Sequence, residues 1–149
     1  NACAQSDAGS ALVLASREKA EEICAKPVAI LRSYASTGVE PSFMGLGPVT
    51  AIPRALDLAG LDLADVDLIE VNEAFAAQII ACERELNWDR GKLNINGGAI
   101  ALGHPVGATG GKIIATCLSA LKQRGGELGV VSACIGGGQG VAMVLQCVN

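Results

Sequence analysis

Three short segments hold the residue types best suited to chemistry: Asn72-Glu73-Ala74-Phe75, the glycine-broken stretch from Gly97 to Gly111 around His104, and Cys134 to Gly140. His104 is the only histidine and stands between Gly103 and Pro105. An imidazole is the side chain best suited to take up a proton near neutral pH. The competing reading is a structural histidine held by a backbone carbonyl. The neighbouring glycines at 97, 98, 103, 107, 110 and 111 favour a site, because they let the backbone approach a ligand closely.

Cys134 follows the apolar run Val130 to Ala133 and leads into Gly136-Gly137-Gly138. That setting leaves its sulfur at the mouth of a turn, where a thiol near His104 can exchange a proton or act as a nucleophile. The alternative is a buried cysteine at a strand end, the reading favoured for Cys82, Cys117 and Cys147. The amides of Gly136 to Gly138 can form an oxyanion hole or a tight hairpin, and the two are compatible. Asn72 falls at a strand-to-helix junction, where it either caps the following helix or holds a water or carbonyl oxygen through its amide. Glu73 in the first turn suits the helix dipole.

Two phosphate-binding patterns fail. The P-loop requires a glycine where Val106 stands, and Gly111-Lys112 is followed by Ile113 in place of Ser or Thr. Gly103, Gly107 and Gly110 are also wrongly spaced for a dinucleotide fingerprint.

The elements that must position these segments alternate strand and helix. Ala11 to Ala15 is an apolar run suited to a buried strand, Arg17 to Ala25 a helix opened by Ser16, and Val28 to Tyr34 a second strand. Ser36 to Pro48, rich in Gly, Pro and Ser, predicts a surface loop. Thr50 is placed as the cap of a helix through Ala59, with Gly60 at its C-terminal end. Asp67 to Val71 predicts a strand, Ala74 to Leu86 a helix, and Ala108 to Arg124 the longest amphipathic helix, stopped by Gly125 and Gly126. Leu128 to Asn149 carries no charge over 22 residues, but its glycines divide it into two buried strands and argue against a membrane span. The pattern predicts one α/β domain over residues 1–149: a mixed, mainly parallel sheet with helices on both faces.

Composition narrows the function. The 149 residues are half hydrophobic and carry 11 basic against 15 acidic side chains, a net charge of -4, with no basic cluster of the kind a phosphate backbone requires. Nucleic acid is therefore not an expected partner. The six cysteines form no C-x-x-C pair, and one histidine cannot complete a Cys/His zinc pattern, so no metal is expected. Asn1 to Ser10 has no signal-peptide character, and the first residue reads as a cut; the expected location is cytoplasmic.

Read together, Val71-Asn72-Glu73-Ala74-Phe75-Ala76, Asn96-Gly97-Gly98-Ala99-Ile100-Ala101-Leu102-Gly103-His104-Pro105 and Cys134-Ile135-Gly136-Gly137-Gly138-Gln139-Gly140 resemble, in order, the C-terminal signatures of the thiolase family. Met44-Gly45-Leu46-Gly47-Pro48 resembles a further family segment, so the likeness covers nearly the whole chain. It implies the second of two similar α/β halves. The implied reaction is that of an acetyl-CoA C-acetyltransferase, the condensation of two acetyl-CoA to acetoacetyl-CoA or its reverse, with coenzyme A thioesters as substrates and no covalently bound cofactor.

The resemblance also implies roles. His104 would activate a nucleophilic cysteine and, with a water held by Asn72, bind the thioester oxygen of the attacking acyl-CoA. Cys134 would be the acid/base at the substrate α-carbon, and the Gly136 N–H would enter a second oxyanion hole. Phe75, Ala74, Met44 and Cys3 are placed among substrate-binding positions. The acylated cysteine of the family lies in the N-terminal half, and no residue here matches its motif. Cys3 is not that residue: Asn1-Ala2-Cys3 resembles a stretch usually read Asn-Ala-Ser, whose serine lies near coenzyme A. The expected partners are acyl-CoA, coenzyme A and an N-terminal half, assembled as a dimer or tetramer. Two other functions remain open: a non-catalytic module that binds coenzyme A or a protein, and a stand-alone acyltransferase with Cys134 as nucleophile and His104 as base.

Overall fold

A computed structural model describes residues 1–148. Its first helix, α1, spans Arg17–Glu22, and its N-terminal turn is closed by the Ser16 hydroxyl, which accepts from the Lys19 N–H. There follow strand β1 (Ala29–Gly38), a 3-10 turn (Pro41–Leu46), α2 (Gly47–Ala59), β2 (Leu68–Val71), α3 (Ala76–Leu86), the short α4 (Ala99–Leu102), α5 (Thr109–Arg124), β3 (Leu128–Ile135) and β4 (Gln139–Cys147).

The four strands form one sheet in the order β1-β4-β3-β2. β2 runs parallel to β3, while β4 is antiparallel to both β3 and β1. The sheet is mixed, as expected, but antiparallel pairs outnumber the parallel one, which corrects the expectation of a mainly parallel sheet. The physical reason is β4. Returning from β3 through a three-residue glycine turn, it must be antiparallel, and β1 then joins its free edge in the same sense.

Helices cover both faces. Residues alternate across a strand, so Ile69, Val71, Val130, Ala142 and Val144 meet Ala51, Ile52, Ala55 and Leu56 of α2 and Cys82 of α3 on one side. Leu68, Val131, Leu145 and Cys147 meet Ile113, Cys117, Ala120 and Leu121 of α5 on the other. α2 and α5 both end on glycines in the left-handed region, Gly60 and Gly125, where the sequence placed helix stops.

Several boundaries differ from expectation, α1 stopping at Glu22 and not Ala25 and α3 starting at Ala76 and not Ala74. Ala11 to Ala15 is not a strand; it pairs with nothing among the described residues, and Leu12, Val13 and Leu14 lie exposed. β1 runs four residues beyond Tyr34 because β4 offers partners as far as Gln139, and Pro41–Leu46 is helical, so the predicted loop shrinks to Val39 and Glu40. α2 begins at Gly47, not Thr50. The Thr50 hydroxyl bonds to the Gly47 carbonyl inside the first turn, 3.1 Å away.

Candidate functional site

The site lies at the carboxyl ends of the parallel strands β2 and β3, where open α/β sheets place ligands. β2 delivers Asn72, whose N–H donates to the Ser132 carbonyl of β3 at 2.9 Å. Two residues further along β3 stands Cys134, paired with Gly140 of β4. Asn72 is buried, and it does not cap α3: that helix starts at Ala76, and the carbonyl of Asn1 receives the Ala76 N–H at 2.9 Å. The Asn72 amide instead faces His104, with Nδ2 3.5 Å from Nε2.

The tautomer of His104 follows from its other neighbour. Nδ1 is 2.7 Å from the Thr109 Oγ1, and that hydroxyl donates its only proton to the Pro105 carbonyl at 2.9 Å. Thr109 must therefore accept from His104, so Nδ1 carries the proton and Nε2 presents a lone pair toward Asn72. The arrangement is that of a base, half-buried and aimed at the end of the sheet.

Asn94, to which the sequence reading gave no role, and Glu73, read there only as a partner of the helix dipole, build this geometry. Asn94 has a left-handed backbone, and its side chain clasps the end of β2: Oδ1 accepts from the Val71 N–H and Nδ2 donates to the Val71 carbonyl, each at 2.9 Å. The same Nδ2 also donates to Glu73 Oε1 at 2.9 Å, and Glu73 Oε2 accepts from the Ile100 N–H at 3.1 Å. A methyl group at Gly98 would overlap the Glu73 carboxyl. Glu73 thus ties the loop before His104 to the strand that bears Asn72, in place of the dipole role expected of it. The one signal for Asn94 is its place three residues ahead of Gly97, where the glycine-broken stretch begins.

The N-terminal residues lie against the same site. The Cys3 N–H donates to the Ala74 carbonyl at 3.1 Å, and the His104 N–H donates to the Ala4 carbonyl at 3.1 Å. Cys3 is thereby placed beside Ala74, and it is close enough to Cys134 to disfavour its thiolate. Burial is the larger cause: it raises the Cys134 thiol above its ordinary range, with a backbone hydrogen bond opposing and Cys3 adding. Cys82 and Cys117 are pushed up to about 12, chiefly by burial, which fits packing thiols.

After Cys134, Gly137 and Gly138 both adopt positive φ and turn the chain into β4. Gly138 is buried, and its carbonyl accepts from the Val39 N–H at 2.7 Å. Gly136 is exposed, with open space where a side chain would stand. The approach is closest between Gly140 and Gly47, where a methyl on either would meet the other segment's backbone. Met44 is half-buried in the 3-10 turn beside this contact, and Phe75 is half-exposed, bridged to Ala2. The structure joins His104 to Asn72 and Cys3 to Ala74. Among the described residues no hydrogen bond links Cys134 to His104 or Asn72, and no cluster of side chains suits a metal ion.

Comparison with known proteins gives a consistent result. A family model described as "Thiolase, C-terminal domain" matches residues 25–147. The acetyl-CoA acetyltransferase of Escherichia coli K12 is 52% identical over 149 residues, which is 100% of this chain and 38% of that protein. The 3-ketoacyl-CoA thiolase of Bacillus subtilis is 51% identical over 146 residues, 98% of this chain and 37% of that protein. The crystal structure of human mitochondrial 3-ketoacyl-CoA thiolase superposes with a TM-score of 0.89 at 51% identity, covering 91% of this chain and 34% of that one. The chain thus spans a little over a third of the length of the relatives it matches. No helix among the described residues is long and apolar enough to cross a membrane.

Proposed function

Because the chain belongs to the thiolase family through its C-terminal domain, we propose that it is the acid/base half of an acetyl-CoA C-acetyltransferase. The observation that carries this reading is the His104 Nε2 lone pair set beside the Asn72 amide at the strand ends that also bear Cys134. Acyl-CoA and coenzyme A as substrates, no covalent cofactor, pairing with an N-terminal half in a dimer or tetramer, and a cytoplasmic location belong to the same proposal.

In condensation, His104 Nε2 takes the thiol proton of a cysteine supplied by the N-terminal half. The resulting thiolate attacks the acetyl-CoA carbonyl, the carbon–sulfur bond to coenzyme A breaks, and the departing thiolate takes the Cys134 proton. Cys134 is suited to give it, since burial holds its thiol protonated at rest. The Cys134 thiolate then removes an α-proton from a second acetyl-CoA, whose thioester oxygen is held by protonated His104 and a water on the Asn72 amide. The carbanion attacks the acyl-enzyme carbonyl, whose oxygen the Gly136 N–H stabilises. The enzyme cysteine leaves and recovers its proton from His104. Two acetyl-CoA become acetoacetyl-CoA and free coenzyme A, and both bases return to their starting state. Phe75, Ala74, Met44 and Cys3 would line the path of the bound thioester.

Thiolysis of acetoacetyl-CoA, followed by loss of its enolate absorbance, tests the proposal. Activity is expected only after a thiolase N-terminal half is added, with a loss of about 10³-fold or more for His104→Ala, the size expected when a base is removed. Turnover by the chain alone would make Cys134 the nucleophile and refute the assignment. Silence of a folded complex would refute the catalytic reading and leave a binding module.

A further inference from the structure

Glu70 is the one carboxylate buried in the strand that carries the site, and no step above uses it. It is 3% exposed, as is Asn72. Glu70 lies on β2 and Asn72 just past its end, one residue between them, so both side chains leave the sheet on the α5 side, where Leu68 also packs. They line one small cavity with Gly98, Lys112 and Thr116, enclosing about 10 Å³, room for a single water. Glu70 Oε1 and Asn72 Oδ1 are buried there without a hydrogen-bond partner from the chain. Two unpartnered oxygens on one polar, water-sized cavity are costly unless something donates to them.

We propose that Glu70 is a positioning residue: its carboxyl and Asn72 Oδ1 share a bridging water in this cavity, and the bridge holds the Asn72 amide with its NH2 toward His104 Nε2. The bridge is directional. A water donates to Asn72 Oδ1, which leaves Nδ2 as the end that faces the imidazole. Glu70 donates its O–H to the water when protonated and accepts from the water when ionised, so the link survives either state. Burial, and then the Glu73 carboxylate, push the Glu70 carboxyl up to about 7, while Lys112 opposes them. The Lys112 ammonium closes the other side of the cavity by donating to the Gly103 carbonyl at 2.6 Å, next to His104. If Glu70 could not hold the water, the amide would be free to turn its oxygen toward Nε2; the proton would move there, and the Thr109 hydroxyl would turn from the Pro105 carbonyl to donate to Nδ1.

The inference rests on His104 and Asn72 acting as a pair, and its test does not need turnover. Because His104 is the only histidine, ¹⁵N-histidine labelling of the chain reports one imidazole. Glu70→Gln, whose side chain can still bridge a water, should leave the His104 tautomer and the Nε2 resonance unchanged. Glu70→Leu should move the neutral imidazole toward the Nε2–H tautomer. In the chain complemented by an N-terminal half, Glu70→Leu should lower kcat on the order of 10²-fold with KM nearly constant, the size expected of a displaced catalytic group. An unchanged Nε2 resonance in folded Glu70→Leu would overturn the inference whether or not the complex is active. Should Glu70→Leu fail to fold, a crystal structure of the unaltered chain decides. A water within hydrogen-bond distance of Glu70 Oε1 and Asn72 Oδ1 supports the bridge, and a cavity closed by side chains refutes it.

Discussion

Ala11 to Ala15 and Val130 to Ala133 are alike in kind, short runs of small and branched residues with Ser132 the one polar member, yet they fare oppositely. Val130 is fully buried between α2 and the rest of the sheet, whereas Val13 is 95% exposed and its segment pairs with nothing among the described residues. A strand forms where neighbouring edges supply its hydrogen bonds. β3 has β2 on one side and β4 on the other, while Ala11 to Ala15 is joined to neither outer strand, β1 or β2. The family match begins at residue 25, beyond the exposed run, so the contrast falls along the limit of the matched domain.

The largest expected effect strikes the buried side of this contrast. Gly140→Ala puts a methyl into the Gly47 backbone, where neither segment has a flexible side chain to yield. A loss of ~3 kcal/mol or more is expected, read from denaturant unfolding. Next comes the matched pair Val130→Ala and Val13→Ala. The first removes packing from a fully buried site and should cost roughly 2 kcal/mol, while the second should stay within about 0.5 kcal/mol. Equal costs would show that residues 11–15 are buried in the native chain and would erase the distinction.

The contrast also marks what the sequence could reveal. Helix stops at Gly60 and Gly125, the amphipathic α5 and the glycine hairpin were legible because each depends on local rules of backbone and period. The placement of Asn72 and Cys134 at strand ends was legible from residue type and glycine context, although only the folded arrangement shows that Thr109 accepts from His104 Nδ1. The mainly parallel sheet and the strand at Ala11 to Ala15 misled for one shared reason: pairing is a property of two segments, and a single run cannot declare its partner. Asn94, Glu73 and Glu70 stayed hidden for a similar reason. Their contacts join residues 21 to 27 positions apart, or a cavity between a strand and a helix.

A third effect distinguishes carboxyls on the two sides. Glu70 has its folded pKa raised to about 7 from an ordinary 4.5, so the folded chain holds a proton that the unfolded chain releases. Stability from this group is full below about pH 4.5 and is lost as pH rises to about 7. Relative to Glu70→Gln, the unaltered chain should lose on the order of 3 kcal/mol across that window and then run level. Glu18, beside the exposed run, has the opposite sign. Its own backbone hydrogen bond and the Ser16 hydroxyl lower its pKa, so any stability it lends is present above the unfolded value and disappears on acidification. Melting curves of the two variants, Glu70→Gln and Glu18→Gln, between pH 4 and pH 8 should therefore part from the unaltered chain toward the high end of the range with opposite signs, Glu70→Gln melting above it and Glu18→Gln slightly below.

The smallest effect on stability should be the most visible in solution. Val13→Lys changes an exposed position, so folding free energy should move by less than about 0.5 kcal/mol. Leu12, Val13 and Leu14 nevertheless present adjacent apolar side chains to water, and such patches promote association. If the run is free, the substitution should lower the apparent mass seen by light scattering at high protein concentration while leaving the unfolding midpoint in place. If Val13→Lys lowers the unfolding midpoint as Val130→Ala does, the run is packed after all, and Ala11 to Ala15 must find within the chain or in a second copy the strand edge it was said to lack.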